Sequence, residues 1–230
     1  MKEGALYRLL SWLSPAFPIG AYCHSSGLEW AVSEGLVTTR ATLAAWMEDL
    51  LAHGSGRTDA VLFVHAYRAA AGGDSVRLAD LAELAAALHP SRERRLESTA
   101  QGAAFRRIAL AAAPCASLRL IAEIDDERMA YPIIVAVLAV GHEIALADAL
   151  MAYLHGLIGN LVSAAQRLIP LGQTDAQIAI ASLEGAVSRI TSWAAALPAG
   201  DPFEVLGSAT LMADFASLAH ETQYTRLFRT

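Results

Sequence analysis

The sequence predicts an all-α protein, a single-domain bundle of roughly eight to ten helices. Three observations predict it. Alanine and leucine dominate, and no segment keeps the two-residue alternation of a strand. Apolar residues recur at helical spacing, as in Leu78, Leu81, Leu84 and Leu88. Helix breakers punctuate the chain at short intervals: Gly54-Ser-Gly56, Gly72-Gly73, Pro90, Pro114, Pro170-Leu-Gly172 and Pro198-Ala-Gly200.

The elements follow in order. Pro18 and Gly20 shape a turn, and Ser26-Gly-Leu-Glu29 has the spacing of a capping box that opens a helix. Thr38 or Thr39 caps a helix toward His53, and a further helix runs from about Thr58 to Ala71. Asp74 caps the leucine-faced helix that Pro90 ends, and Ser91 starts a long arginine-rich helix toward Ala113. Residues 116–129 read as a short helix and a charged turn. Pro132 suits the first turn of an apolar helix to about Gly141. A helix from about Leu146 to Leu168 follows, and Thr174-Asp-Ala-Gln177 is a second capping box, opening a helix to about Leu197. The last helix is expected from Pro202 to Leu218, with a polar tail at about 219–230. No linker is long or polar enough to divide residues 1–230 into domains.

Hydrophobic residues make up 55% of the chain and charged residues 17%, with a mean hydropathy of +0.39. Such a chain either spans a membrane or buries most helices on several sides, with a dimer or partner covering what remains. The most apolar run, AYPIIVAVLAVG at residues 130–141, is too short for a span of about 20 residues. No apolar signal segment follows Lys2-Glu3, so a cytoplasmic protein without a membrane span is expected. Net charge is -6 and no basic run interleaves with aromatics, which argues against nucleic acid. Cys23 and Cys115 form no CxxC, so neither a disulfide framework nor a structural zinc site is expected.

Catalytic signatures are absent from the sequence. There is no GxxxxGK[ST], and Lys2, the only lysine, cannot supply one. There is no GxGxxG after a strand and no GxSxG elbow. His142-Glu143 lacks the second histidine of a zinc-protease motif. The seven histidines (His24, His53, His65, His89, His142, His155 and His220) include no i,i+4 pair. No catalytic residue, resident metal site or cofactor is therefore assigned. Cys23-His24 offers two metal-ligand types side by side, but nothing nearby completes a site. The plainer reading packs Cys23 inward as a small hydrophobe.

Two segments suggest partners. Arg92, Arg94, Arg95, Arg106 and Arg107 share one helix, as a solvated face with Glu93 and Glu97 or as a docking patch for an acidic partner. The ending HETQYTRLFRT sets Tyr224, Leu227 and Phe228 among Arg226 and Arg229, an interface-like composition. It is read as a segment that orders against a partner, the alternative being a strap on its own bundle.

Three stretches in this order, SPAFPIGAYCHSSGLEWAV, SAAQRLIPLGQTDAQ and HETQYTRLFR, resemble the signatures of the urease accessory protein UreF family; they lie near the start, past the middle and at the end, so the resemblance spans nearly the whole chain. The resemblance implies an all-α homodimer that is not an enzyme. It implies a scaffold that binds UreD (UreH in some species) and recruits the GTPase UreG to the urease apoprotein, where nickel is inserted; nickel cation binding belongs to that process. Direct regulation of the GTPase and a nickel metallochaperone role are the alternatives. The residues that match, and so are expected to bind partners, are Pro18, Gly20, Ser25, Gly27 and Glu29 in the opening, Arg167 and Gln173 in the middle, and His220, Glu221, Tyr224, Arg226, Leu227 and Arg229 at the end. Leu28, Pro170 and Gly172 also match. Cys23-His24 departs from the usual hydroxyl and aromatic residues there, and no role is carried onto them.

Overall fold

A computed structural model describes residues 3–230, and among them there are eleven α-helices and no strand. The helices are α1 (Ala5–Trp12), α2 (Leu28–Ser33), α3 (Arg40–His53), α4 (Ser55–Ala71), α5 (Ser75–Ala87), α6 (Arg92–Ala112), α7 (Tyr131–Gly141), α8 (Leu146–Leu168), α9 (Gln173–Ser182), α10 (Glu184–Ala195) and α11 (Leu211–His220).

Several helix starts are local in origin. Thr39 accepts the Thr42 N–H and receives a reciprocal cap from the Thr42 hydroxyl. Asp74 and Ser91 accept the N–H three residues on, from Arg77 and Arg94. Each satisfies a donor that the first turn leaves free.

Helix α7 is the apolar centre. Residues Pro132 to Ala139 are all buried, against α4, α6 and α8. Helix α4 buries one side on α7 and others on α3, α5, α8 and α10. Gly102 lets α6 meet the Met129–Ala130 backbone, where a Cβ would collide. Aromatic rings run through the core from the opening loop: Phe17, Phe105, Tyr131, Tyr153 and Phe63, with successive centroids 5.0, 5.6, 5.3 and 5.5 Å apart. These tilted contacts stabilise by about 0.5–1.5 kcal/mol each beyond their buried area. Helix α8 has the length and hydropathy to cross a membrane. In this fold it packs on α4, α7, α9 and α10, with Leu150, Tyr153, Leu154 and Ile158 buried.

Four expectations need correction. Ser26 is not a helix cap; Gly27 occupies that position in the left-handed region, and both Ser26 and Glu29 bond elsewhere. Helix α4 begins at Ser55, because Gly54 separates two helices without a longer loop. The Thr174–Gln177 box does not form: α9 starts at Gln173 after Gly172, and the helix expected to reach Leu197 breaks at buried Leu183. Pro202 opens only a short 3-10 turn to Glu204, and α11 does not start until Leu211.

Candidate functional site

Helix α11 packs unusually. Its small side, with Ala216, Ser217 and buried His220, lies against the start of α2. The approach is close because Gly27 sits at φ 81°, and a Cβ there would lie 2.7 Å from the Ser217 nitrogen. The large apolar residues Leu211, Met212, Phe215 and Leu218 face outward and are exposed. A helix folding for its own chain alone would turn that face inward.

The tail returns over the opening loop. The Arg229 N–H donates to the Cys23 carbonyl at 2.9 Å, and the Ser25 N–H donates to the Thr230 carbonyl at 2.7 Å. Phe228 is buried. Buried Glu29 holds the turn: the Leu227 and Phe228 N–H groups donate to its two oxygens at 2.6 and 2.9 Å. His220, 0% exposed, bridges two carboxylates, with Nε2 3.1 Å from Glu29 and Nδ1 2.6 Å from Glu93. Arg226 donates to the other oxygen of Glu93 at 2.7 Å. Glu221 accepts the Arg92 N–H at 2.8 Å, at the free start of α6.

Beneath the tail lies a buried ion pair. Arg94 Nη1 donates to Glu97 at 2.7 Å and to the Ser26 hydroxyl at 2.5 Å, while Ser26 donates to Glu97 at 2.9 Å. The Thr230 hydroxyl reaches Glu97 at 3.2 Å and lies 2.7 Å from His24 Nδ1. Burial pushes the Glu97 carboxyl up, but the Arg94 guanidinium, with His24 and the hydrogen bonds, more than offsets it and holds Glu97 below the usual range. Burial lowers the His24 imidazole. Behind the pair is a cavity of about 40 Å³ lined by Asp59, His89 and Arg94 among others. Burial raises Asp59 to about 6, although the Tyr153 hydroxyl donates to it at 2.7 Å. Burial lowers His89 to about 4.

The middle signature joins through one residue. The Arg167 guanidinium sits over the Phe228 ring at 4.2 Å and the Tyr22 ring at 5.2 Å. The opening loop, the end of α8 and the tail thus meet in one place. Of the residues expected to bind partners, Ser25, Gly27, Glu29 and His220 are buried within this arrangement. Pro18, Gly20, Arg167, Tyr224, Arg226, Leu227 and Arg229 are exposed, and Glu221 is half-buried. Gln173 stands apart, at the start of α9 on α3 and α8.

Sequence reasoning missed the part played by Glu93, Arg94 and Glu97. Arg94 is neither solvated nor free to dock a partner; it is buried. The i,i+3 spacing of Arg94 and Glu97 was the available signal. Cys23 and His24 are committed locally, the thiol donating to the Gly20 carbonyl at 2.9 Å and the imidazole facing Thr230. Among the described residues, no group of three or more His, Cys, Asp or Glu side chains is placed to hold a metal ion.

The chain resembles known proteins over its whole length. A family model described as UreF matches residues 37–184. A urease accessory protein UreF of Bradyrhizobium diazoefficiens is 51% identical over 228 residues, covering 99% of this chain and 93% of the relative. One from Rhodopseudomonas palustris strain BisB18 is 52% identical over 230 residues, covering 99% and 93%. One from Bradyrhizobium sp. strain ORS 278 is 50% identical over 226 residues, covering 98% and 92%.

Proposed function

The chain belongs to the UreF family, whose general role is in urease maturation, and from that membership we propose that it is a non-catalytic scaffold in the cytoplasm. As a homodimer it binds UreD (UreH) and recruits the GTPase UreG to the urease apoprotein for nickel insertion. The nickel is cargo of that assembly.

The observation that carries this reading is the surface built by α11 and the tail. An outward stripe of Leu211, Met212, Phe215 and Leu218 runs into a tail that displays Tyr224, Leu227 and Arg229. Apolar anchors beside tyrosine and arginine suit a protein partner. UreD is assigned to this surface. Tyr224, Leu227, Arg229 and Arg167 make contacts, with Pro18 and Gly20 in the adjoining loop. Ser25, Gly27, Glu29, His220, Glu221 and Arg226 hold the surface in shape. Gln173 belongs to a second face.

A second reading has one supporting observation. Arg229 is exposed and has no ion-pair partner among the described residues. Such an arginine suits direct regulation of the GTPase, by placing a cation near the bound nucleotide.

Co-purification with UreD and UreG, read by light scattering, tests the scaffold. A defined complex containing all three chains is expected. Failure of the folded chain to bind either partner would overturn the reading. Arg229→Ala, assayed with UreD and UreG at concentrations that saturate the complex, separates the second role: GTP hydrolysis should change within the intact complex, and an unchanged rate there would leave docking alone.

A further inference from the structure

A groove of about 370 Å³ opens between α3 and the start of α11. Half-buried Trp46 and buried Leu50 line it from α3. Leu211 and Met212 line it from α11. These two also belong to the outward α11 stripe, where they are 68% and 51% exposed. The groove is therefore a recess in that same surface, and a partner covering the stripe covers the recess too.

The walls are set before anything binds. The Ala209 N–H donates to the His53 carbonyl at 2.8 Å, tying the approach to α11 onto the end of α3. Gly54 packs against Thr210, where a Cβ would lie 2.6 Å from the hydroxyl. A preformed recess of this size falls within the ordinary range of binding pockets, about 300–1,000 Å³.

Charge says what enters. Asp49 is exposed and lines the groove, and among the described residues no hydrogen bond or ion pair holds its carboxylate. His53 is the other ionisable lining residue, and no lysine or arginine lines the groove. Arg57 and Arg189 belong to the neighbouring groove toward α10. There Arg57 lies over the Trp193 ring at 3.7 Å and Arg189 faces Glu48 at 3.7 Å. A free carboxylate beside an apolar recess matches a cation next to an apolar side chain. A second copy of this chain fits poorly, because it brings a net charge of -6.

We infer that the partner covering α11 seats a large apolar side chain in this groove and sets a neighbouring lysine or arginine on Asp49. The inference rests on the assignment of UreD to α11 and adds a basic, apolar anchor to that contact.

Calorimetric titration of UreD into the full chain tests it. Wild type is compared with Asp49→Asn, Asp49→Lys and Ala209→Trp, the last placing a bulky ring in the groove. Asp80→Lys on α5, a helix packed mainly on α4, controls for net charge. Circular dichroism melts confirm folding. Ala209→Trp should weaken binding by about thirtyfold or more, and Asp49→Lys by about tenfold or more. Wild-type affinity should fall as salt rises, and Asp49→Asn should flatten that slope. If Phe215→Glu weakens binding while all three groove variants bind like wild type, UreD lies on α11 but leaves the groove empty, and the inference is overturned. If Phe215→Glu also binds like wild type, the assignment of UreD to α11 fails and the inference goes with it. Unchanged affinity in both Asp49 variants, or an equal loss in Asp80→Lys, would overturn the pairing with Asp49.

Discussion

Replacing Glu29 by glutamine should release the tail without unfolding the bundle. The Glu29 carboxylate accepts the Leu227 and Phe228 N–H groups at 2.6 and 2.9 Å and faces His220 Nε2 at 3.1 Å. Hydrogen bonds to a charged group stabilise by about 1.5–3 kcal/mol each. Glutamine keeps one acceptor oxygen and turns an NH₂ toward a donor. The net loss is then about 2–4 kcal/mol, one charge-assisted bond plus one unsatisfied donor. Phe228 burial, about 1.5–3 kcal/mol, resists undocking in both proteins. The disrupted contacts tie residues 220–230 to the opening loop and α6, so the loss should appear as local opening. At about 1.4 kcal/mol per tenfold, tail protection falls by about thirtyfold to several hundredfold. Hydrogen exchange of the Ser25, Phe228 and Arg229 amides reads this directly, with α4 and α7 as internal references. Tail protection within threefold of wild type would refute the reasoning. So would an equal loss across every helix.

Three further outcomes follow from the same geometry. Asp59→Asn should stabilise the protein near pH 8: burial raises this carboxyl from 3.8 to about 6, so the fold holds its proton more tightly than the unfolded chain. Keeping it ionised above pH 6 therefore costs about 3 kcal/mol. The gain should shrink as pH falls through 6 and vanish near pH 4, in urea titrations run against wild type so that His89 cancels; a gain that ignores pH would contradict the burial argument. Arg94→Met should cost about 3–5 kcal/mol by leaving Glu97 buried and unpaired, whereas the double change with Glu97→Met should recover most of it in the same titrations. Gly27→Ala should lower the melting temperature, because it strains a positive φ and pushes a Cβ into Ser217; an unchanged melt would show that α11 shifts freely.

What the sequence discloses is what is decided locally. Thr39, Asp74 and Ser91 cap the helices they begin, because each hydroxyl or carboxylate acts on a backbone three residues away. Ser26 has the same local pattern, yet its hydroxyl is taken by Glu97, 71 residues away, which no spacing rule detects. The α9–α10 break falls at Leu183, two residues before Gly185, and a single glycine inside a helical pattern does not by itself mark an end. The tail's composition resembles that of an interface, but its docking on Glu29 and Cys23 joins the two ends of the chain, which composition does not disclose. Arg94 looked like its solvated neighbours because a buried arginine and an exposed one read alike until Glu97, Ser26 and Asp59 surround it.

The central claim is that α11 and the docked tail form one partner surface. Titration of UreD into wild type and Phe215→Glu, followed by calorimetry, tests it most directly. Phe215 is exposed, so the variant should melt like wild type, and its affinity for UreD should fall by at least about a hundredfold. Unchanged affinity in the folded variant would contradict the claim.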